Sequence, residues 1–295
     1  MPTGTSSLPG ESPLSDERLA AFSDLVRAKG AELYRDLPWR NTHDPYAIML
    51  SEVMLQQTQV ARVRGRWEQW LATFPTVGDL AAAPLPPVLE LWQGMGYNRR
   101  ALNLKKCAEQ VVERFDGEMP RGHKELLSLP GIGPATAAGV RVFAYEEPDM
   151  YLETNVRTVF LHELFPGQDG VGDKELIPLV EKTCPQGPEV RAWYYALLDY
   201  GAHLKKVLPN PSRRSKHHVR QSKFEGSHRQ KRAYLLRRVL EGPATQEALA
   251  ADLSVAEQHA GRDAVPAEEV RAILDELCSE GFIFLGADGR WSCAE

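Results

Sequence analysis

Apolar residues recur at helical spacing from about Asp16 to Leu204, and short connectors bearing Pro or Gly cut the pattern into segments. That rhythm constrains the fold more than any other feature. Each amphipathic segment must bury a stripe against a neighbour, and short connectors keep neighbours close. Ser15–Arg35, Pro45–Leu71, Val77–Ala82, Pro86–Trp92 and Arg99–Arg114 read as helices, followed by Gly122–Ser128, Gly133–Phe143, Thr154–Leu164, Asp173–Cys184 and Pro188–Tyr200. Strand-like alternation is almost absent there. The expectation is a mainly α fold.

Residues 1–15 are rich in Pro, Gly, Ser and Thr and have neither a charged start nor an apolar run. They read as a disordered leader rather than a signal peptide. Nothing approaches the ~18 apolar residues that a membrane span needs, so no membrane partner and a cytoplasmic location are expected. Residues 16–204 form the expected helical core, residues 205–229 a basic segment and residues 230–295 a separate small domain. In that last domain Pro266 opens a helix reaching Glu280, and Gly281–Leu285 with Arg290–Cys293 reads as a hairpin. Three helices and a hairpin are the layout of a winged helix.

The net charge of −5 hides an asymmetry. Lys205–Arg232 is dense in Lys and Arg, so Arg213, Arg214, Lys216 and Arg220 are candidate phosphate contacts. The helix after Pro266 carries Glu268, Glu269, Asp275, Glu276 and Glu280 against Arg271, which makes it a poor guest in a DNA groove. Cys107, Cys184, Cys278 and Cys293 have wide, irregular spacing and form no metal-ligand pattern.

Three motifs carry chemistry. Leu129-Pro-Gly-Ile-Gly133 joins two helices, and its backbone N–H groups face outward at a helix start. Gly131, Ile132 and Gly133 would hold a phosphate through main-chain amides, which are indifferent to sequence. Glu153 stands where the next helix begins, where the macrodipole favours a carboxylate. Glu52 lies among Met49, Leu50, Val53, Met54 and Leu55, so it has either solvent access or a raised pKa suited to a general acid. Gln56 and Gln57 follow with uncharged amides that suit base edges.

These residues resemble the helix-hairpin-helix DNA glycosylases, and most closely the A/G-mismatch adenine glycosylases of the MutY type. The resemblance covers roughly Leu37 to Leu204 and rests on L-P-W-R, P-Y-x-I-x-x-S-E-V-M-L-Q-Q-T-Q-V, F-P-T-V-x-D-L-A, L-W-x-G-M-G-Y, R-A-x-N-L, L-P-G-I-G, T-N-V-R and L-D-x-G-A. It implies a core of two helical lobes with a cleft, and duplex DNA with a damaged or mispaired base as partner. It implies that Glu52 protonates the leaving purine and that Glu153 stabilises the sugar cation, the two-carboxylate logic of glycoside hydrolysis. Gln56 and Gln57 match residues that fill the gap left by the flipped nucleotide, and Tyr97 matches a wedge residue. Arg40 and Asn155 fall in matching motifs as further DNA or substrate contacts.

The departures matter as much. Glu153 replaces the family's Asp. Pro134-Ala135 stands where bifunctional relatives carry a nucleophilic lysine, which implies a hydrolase without lyase activity. The iron–sulfur cysteines after L-D-x-G-A are missing, so no cluster is expected, although a monovalent cation at the hairpin carbonyls is compatible with the family. The domain that inspects 8-oxoguanine is missing too. A monomer is implied. Adenine opposite guanine or 8-oxoguanine is the first substrate reading. The alternatives are a glycosylase for altered pyrimidines or hypoxanthine, and a non-catalytic DNA-structure binder.

Overall fold

The computed structural model describes residues 15–216 and 223–294, so residues 1–14 of the expected leader and Arg220 lie outside the described residues. The chain begins with α1 (Asp16–Leu33), α2 (Pro45–Leu55), α3 (Val60–Val63), α4 (Arg66–Thr73), α5 (Val77–Ala82), α6 (Leu85–Leu91) and α7 (Arg99–Phe115). It continues through α8 (His123–Leu127), α9 (Pro134–Ala144), α10 (Thr154–Glu163), α11 (Asp173–Thr183) and α12 (Glu189–Val207). The last part is α13 (His228–Leu240), β1 (Ala244–Thr245), α14 (Gln246–His259), α15 (Ala267–Ser279), β2 (Ile283–Leu285) and β3 (Arg290–Cys293).

One long helix expected over Pro45–Leu71 is three. Gln57 (φ 53°) and Gly65 (φ 76°) take left-handed backbone that no α-helix continues through. Apolar spacing runs on across both breaks, so periodicity does not show them. Helix α12 instead runs past Tyr200 to Val207, which makes Lys205 helical rather than the start of a loop.

The described residues fall into two compact units. One takes the chain up to Glu52, then Arg121–Leu127, then Ile132 onward to Lys216. The other takes Val53–Pro120, Ser128–Gly131 and the chain from Lys223 onward.

In the first unit α12 is the central helix, with α1 and α10 packed along it. Helix α1 starts where Ser15 accepts from the Arg18 N–H, and it buries Leu19, Phe22 and Val26 at helical spacing. A Cβ on Gly30 would lie 2.3 Å from the Ala196 Cβ, so these two small residues set how closely α1 and α12 approach. Phe22 packs on Phe160 of α10 with ring centroids 4.8 Å apart. Helix α9 has Pro134 in its first turn and buries the small residues Ala137, Ala138 and Gly139.

In the second unit α5 and α6 pack on α7, and Trp70 sits edge-on to Phe74 and Trp92 at 5.4 and 5.6 Å. Helix α5 is closed by a capping box between Thr76 and Asp79. The C-terminal elements are three helices and a small sheet: Leu235, Leu249, Ile273 and Trp291 are buried, and the antiparallel sheet has the order β1-β3-β2. Strand β1 is two residues long, too short to show alternation in a sequence.

Glu269 and Glu276 of α15, and Glu280 at its C-cap, have partners on neighbouring helices. Arg232 pairs with Glu276 and Glu280 at 2.9 Å each, Lys231 with Glu269 at 2.6 Å, and Arg99 of α7 with Glu280 at 2.6 Å. The end of the basic segment therefore fastens α13 to α15. Such surface pairs contribute about 0–1 kcal/mol each. No helix among the described residues is long and apolar enough to cross a membrane.

Candidate active site and DNA contacts

Glu52 and Glu153 lie in the first unit, in contrasting environments. Glu52 projects from α2 beside Tyr151, whose hydroxyl donates to Glu52 Oε2 at 2.9 Å. Phe143 and Tyr195 stack at 4.5 Å, and Tyr151 meets Phe143 edge-on at 5.2 Å. These rings form an apolar wall beside the carboxyl, which is half-buried. Burial pushes Glu52 up to about 8, the Tyr151 hydrogen bond works against it, and the charge of Glu153 adds to the rise. Tyr151 itself is driven well above the ordinary phenol range by burial and by Glu52. It thus remains a donor to Oε2 and leaves Oε1 to carry the acid proton. Gly139 makes room for this group, because a Cβ there would stand 2.5 Å from Glu52 Oε2 and 3.0 Å from a Tyr151 ring carbon.

Glu153 is the N-cap of α10. Its Oε1 accepts from the backbone N–H of Asn155 at 2.5 Å and of Val156 at 3.0 Å. Burial raises its pKa, against the opposing pull of Lys205, those two N–H groups and the Asn155 side chain. The macrodipole argument is therefore corrected in part: the helix end receives the carboxylate, but burial outweighs it. Lys205 reaches this site from α12 and its charge favours ionised Glu153, whereas the sequence placed it in the basic segment. Asn155 Oδ1 is buried without a partner. Gly201 lets α12 lie against the start of α10, since its Cβ would meet the Asn155 carbonyl oxygen at 2.2 Å.

Arg40 is not a DNA contact. It is 6% exposed, and its guanidinium forms two bonds to Asp199, at 2.8 and 2.7 Å. Arg35 shares the same carboxylate, and Tyr195 covers the Arg40 guanidinium at 4.3 Å. L-P-W-R and L-D-Y-G-A are thus the two halves of one buried ion pair, which no local reading of either motif reveals.

The L-P-G-I-G turn takes left-handed backbone at its first glycine. Gly131 has φ 77°, and a Cβ there would stand 2.7 Å from Asn103 Cβ. Among the described residues no backbone carbonyl accepts the N–H of Gly131, Ile132 or Gly133. Main-chain N–H groups left open at a helix start are the kind of donor that can take an anion. The Ile132 side chain is buried, so only its backbone is a contact.

In the second unit Gln56 and Gln57 form the turn after α2, and Tyr97 the turn before α7. Gln57 and Tyr97 are both non-glycine residues with positive φ, 53° and 50°. Such strain persists only where surroundings enforce it. Arg100, which the sequence reading missed, does so. Its guanidinium donates to the carbonyls of Val53, Met54 and Gln56, to Thr58 Oγ1, and to the carbonyls of Met95 and Gly96, all within 3.1 Å. It also lies 5.0 Å from the Trp92 ring centroid. The only sequence handle was the R-A-L-N motif, because main-chain acceptors leave no mark in a sequence.

The expected phosphate-binding segment is divided. Arg214 donates to the carbonyls of Phe165 and Leu161 at 3.1 and 3.0 Å, capping the end of α10, so it is corrected from DNA contact to structural cap. Arg213 and Lys216 are exposed.

Residues 50–187 match the HhH-GPD superfamily of base excision DNA repair proteins. This segment is an HhH-GPD domain. Over 169 residues the chain is 37% identical to an adenine DNA glycosylase of Mycolicibacterium smegmatis, covering 57% of this chain and 58% of the relative. Over 144 residues it is 40% identical to the adenine DNA glycosylase of Homo sapiens, covering 46% and 26%. The chain spans about half the length of the curated relatives it matches. In structure this chain is similar to a thermostable thymine-DNA glycosylase (TM-score 0.57, 26% identity, 63% of this chain and 87% of that one). A trapped endonuclease III–DNA covalent intermediate shares the fold at TM-score 0.56 and 22% identity, covering 64% and 87%.

Proposed function

We propose that this HhH-GPD protein is a DNA glycosylase that hydrolyses the N-glycosidic bond of a flipped adenine mispaired with guanine or 8-oxoguanine. The observation that carries the reading is the contrast between its two carboxyls. Glu52, held at about 8 by burial, is an acid at neutral pH and protonates the leaving purine. Glu153, with two backbone N–H bonds and Lys205 nearby, supplies the anion opposite the positive charge that develops on the sugar. The amides of Gly131–Gly133 grip a phosphate while the base is out of the stack. Water is the final nucleophile, since Pro134-Ala135 offers no amine.

No iron–sulfur cluster enters this reading. His203-Leu204-Lys205-Lys206, and no cysteine, follows L-D-Y-G-A. A cytoplasmic monomer acting on duplex DNA is part of the same reading. A second reading, thymine or uracil as the excised base, draws on the 26% identity to the thymine enzyme. It is set against 36–40% identity to adenine enzymes.

The test is a single-turnover assay on A·G, A·8-oxoG, T·G, U·G and hypoxanthine duplexes, with alkali cleavage of abasic product and a borohydride trap. Adenine release, lost in Glu153→Gln and giving no trapped adduct, is the expected result. Pyrimidine release would replace the substrate. A trapped adduct would make Lys205 a nucleophile and end the monofunctional reading.

A further inference from the structure

The first unit holds a cleft of about 820 Å³ between α1 and the start of α12. Small-molecule sites span about 300–1,000 Å³, so this one has the room of a ligand site. Gly30 and Ala31 line it from α1 and Ala192 from α12, and these short residues leave the space open. Neither Glu52 nor Glu153 is among its lining residues. Tyr195 stands between: the Arg40 guanidinium lies 4.3 Å from its ring centroid, and Phe143, the ring beside the Glu52 carboxyl, stacks on it at 4.5 Å.

Positive charge exceeds negative charge along this cleft. Arg27, Arg40 and Arg191 line it together with Glu146 and Glu189. Arg40 shares its one carboxylate, that of Asp199, with Arg35. Arg191 is buried, and it donates to the neutral carbonyls of Phe143, Arg40 and Thr42 at 2.7, 2.8 and 2.7 Å rather than to an acid. Arg27 meets Glu189 only loosely, at 4.0 Å, and Glu146 is occupied by His43 at 3.1 Å. A buried cation bonded to carbonyls alone lacks a counter-ion, and an anion entering the cleft supplies one. An aromatic surface lies in the same place. The Tyr34 ring centroid is 5.3 Å from the Arg40 guanidinium, yet the residue is 54% exposed and has a face to offer. A phosphate monoester carries about two charges and can meet two guanidinium groups, where a carboxylate meets one.

We propose that this cleft binds a nucleoside monophosphate, with its phosphate at Arg27 and Arg191 and its base against Tyr34. Such a site is separate from the one that takes a flipped base, and it does not depend on the glycosylase chemistry.

The test is isothermal titration calorimetry of the full chain with adenosine 5′-monophosphate, adenosine and ribose 5-phosphate. The monophosphate should bind at least about tenfold more tightly than either fragment, because it joins both contacts in one molecule. Arg27→Ala should weaken it about tenfold, the scale of one charge-assisted contact, and leave Tm unchanged. Ala192→Trp, at an exposed position of α12, fills the cleft and should abolish binding. An unphosphorylated duplex carrying a tetrahydrofuran abasic analogue, added to saturation, should leave the monophosphate bound. Competition by a 5′-phosphorylated dinucleotide would make a strand end the natural source, and its failure the free nucleotide; either agrees with the site. Adenosine as tight as the monophosphate, or displacement by the duplex, would put the nucleotide in the catalytic pocket, and the proposal fails. Unchanged binding in Arg27→Ala, or no binding to the parent at ligand on the order of millimolar, also overturns it.

Discussion

Glu52→Gln removes one titration and little else, because glutamine keeps the volume and still accepts from Tyr151. Burial holds the Glu52 carboxyl at about 8 against an ordinary 4.5. A carboxyl with a raised folded value takes up a proton on folding, so its contribution is complete below 4.5 and is lost as pH rises through about 8. At pH 7 the protein stands two and a half decades above 4.5, and at about 1.4 kcal/mol per decade the cost is about 3 kcal/mol. Above pH 8 it levels near 5 kcal/mol, an upper figure for a half-buried group. Glutamine bears none of this. At about 2–4 °C per kcal/mol for a folding unit of this size, the variant should melt about 6–12 °C above the parent at pH 7 and alongside it at pH 4. Thermal melts followed by circular dichroism from pH 4 to 9 make the comparison. Base release by the parent should fall as pH passes about 8, while the variant stays slow throughout. Melting curves that run parallel at every pH would show that Glu52 titrates as an ordinary carboxyl and would refute the acid assignment.

Gly139→Ala puts a methyl 2.5 Å from Glu52 Oε2, so the acid must shift by about an ångström. Single-turnover base release should drop about a hundredfold while duplex affinity holds within about threefold, and an unchanged rate would remove Gly139 from the site. Asp199→Asn takes the negative charge from two arginines, one of them buried, and should cost about 3–5 kcal/mol in urea unfolding. A loss under about 1 kcal/mol would mean that water reaches Arg40.

The legible parts of the sequence were those whose signals are local. Val77–Ala82 is read where α5 lies, its start capped by Thr76 and Asp79 only three residues apart, and Gly131 marks a turn that takes left-handed backbone. Glu52 stood out because a carboxyl in an apolar run has few physical options. What stayed hidden was decided by distant partners. Arg40 reads as a cation for DNA until Asp199 is placed against it, and Lys205 reads as a basic tail until α12 carries it to Glu153. The breaks at Gln57 and Gly65 were masked by apolar spacing that happens to continue, and Arg100 answers to carbonyls that every residue has.

The ion pair of Arg40 and Asp199 also sets an order of events during synthesis. The two residues are 159 apart in the chain. At about 5–20 residues per second, Asp199 leaves the ribosome roughly 8–30 s after Arg40. Helices α3 to α7, which belong to the other unit, emerge in that interval. The apolar faces of α1 must wait for α12, the last helix of its unit to be made. The unit that carries both carboxyls is therefore the one whose folding is postponed, and a nascent chain stalled before Asp199 holds an arginine with no carboxylate to meet it.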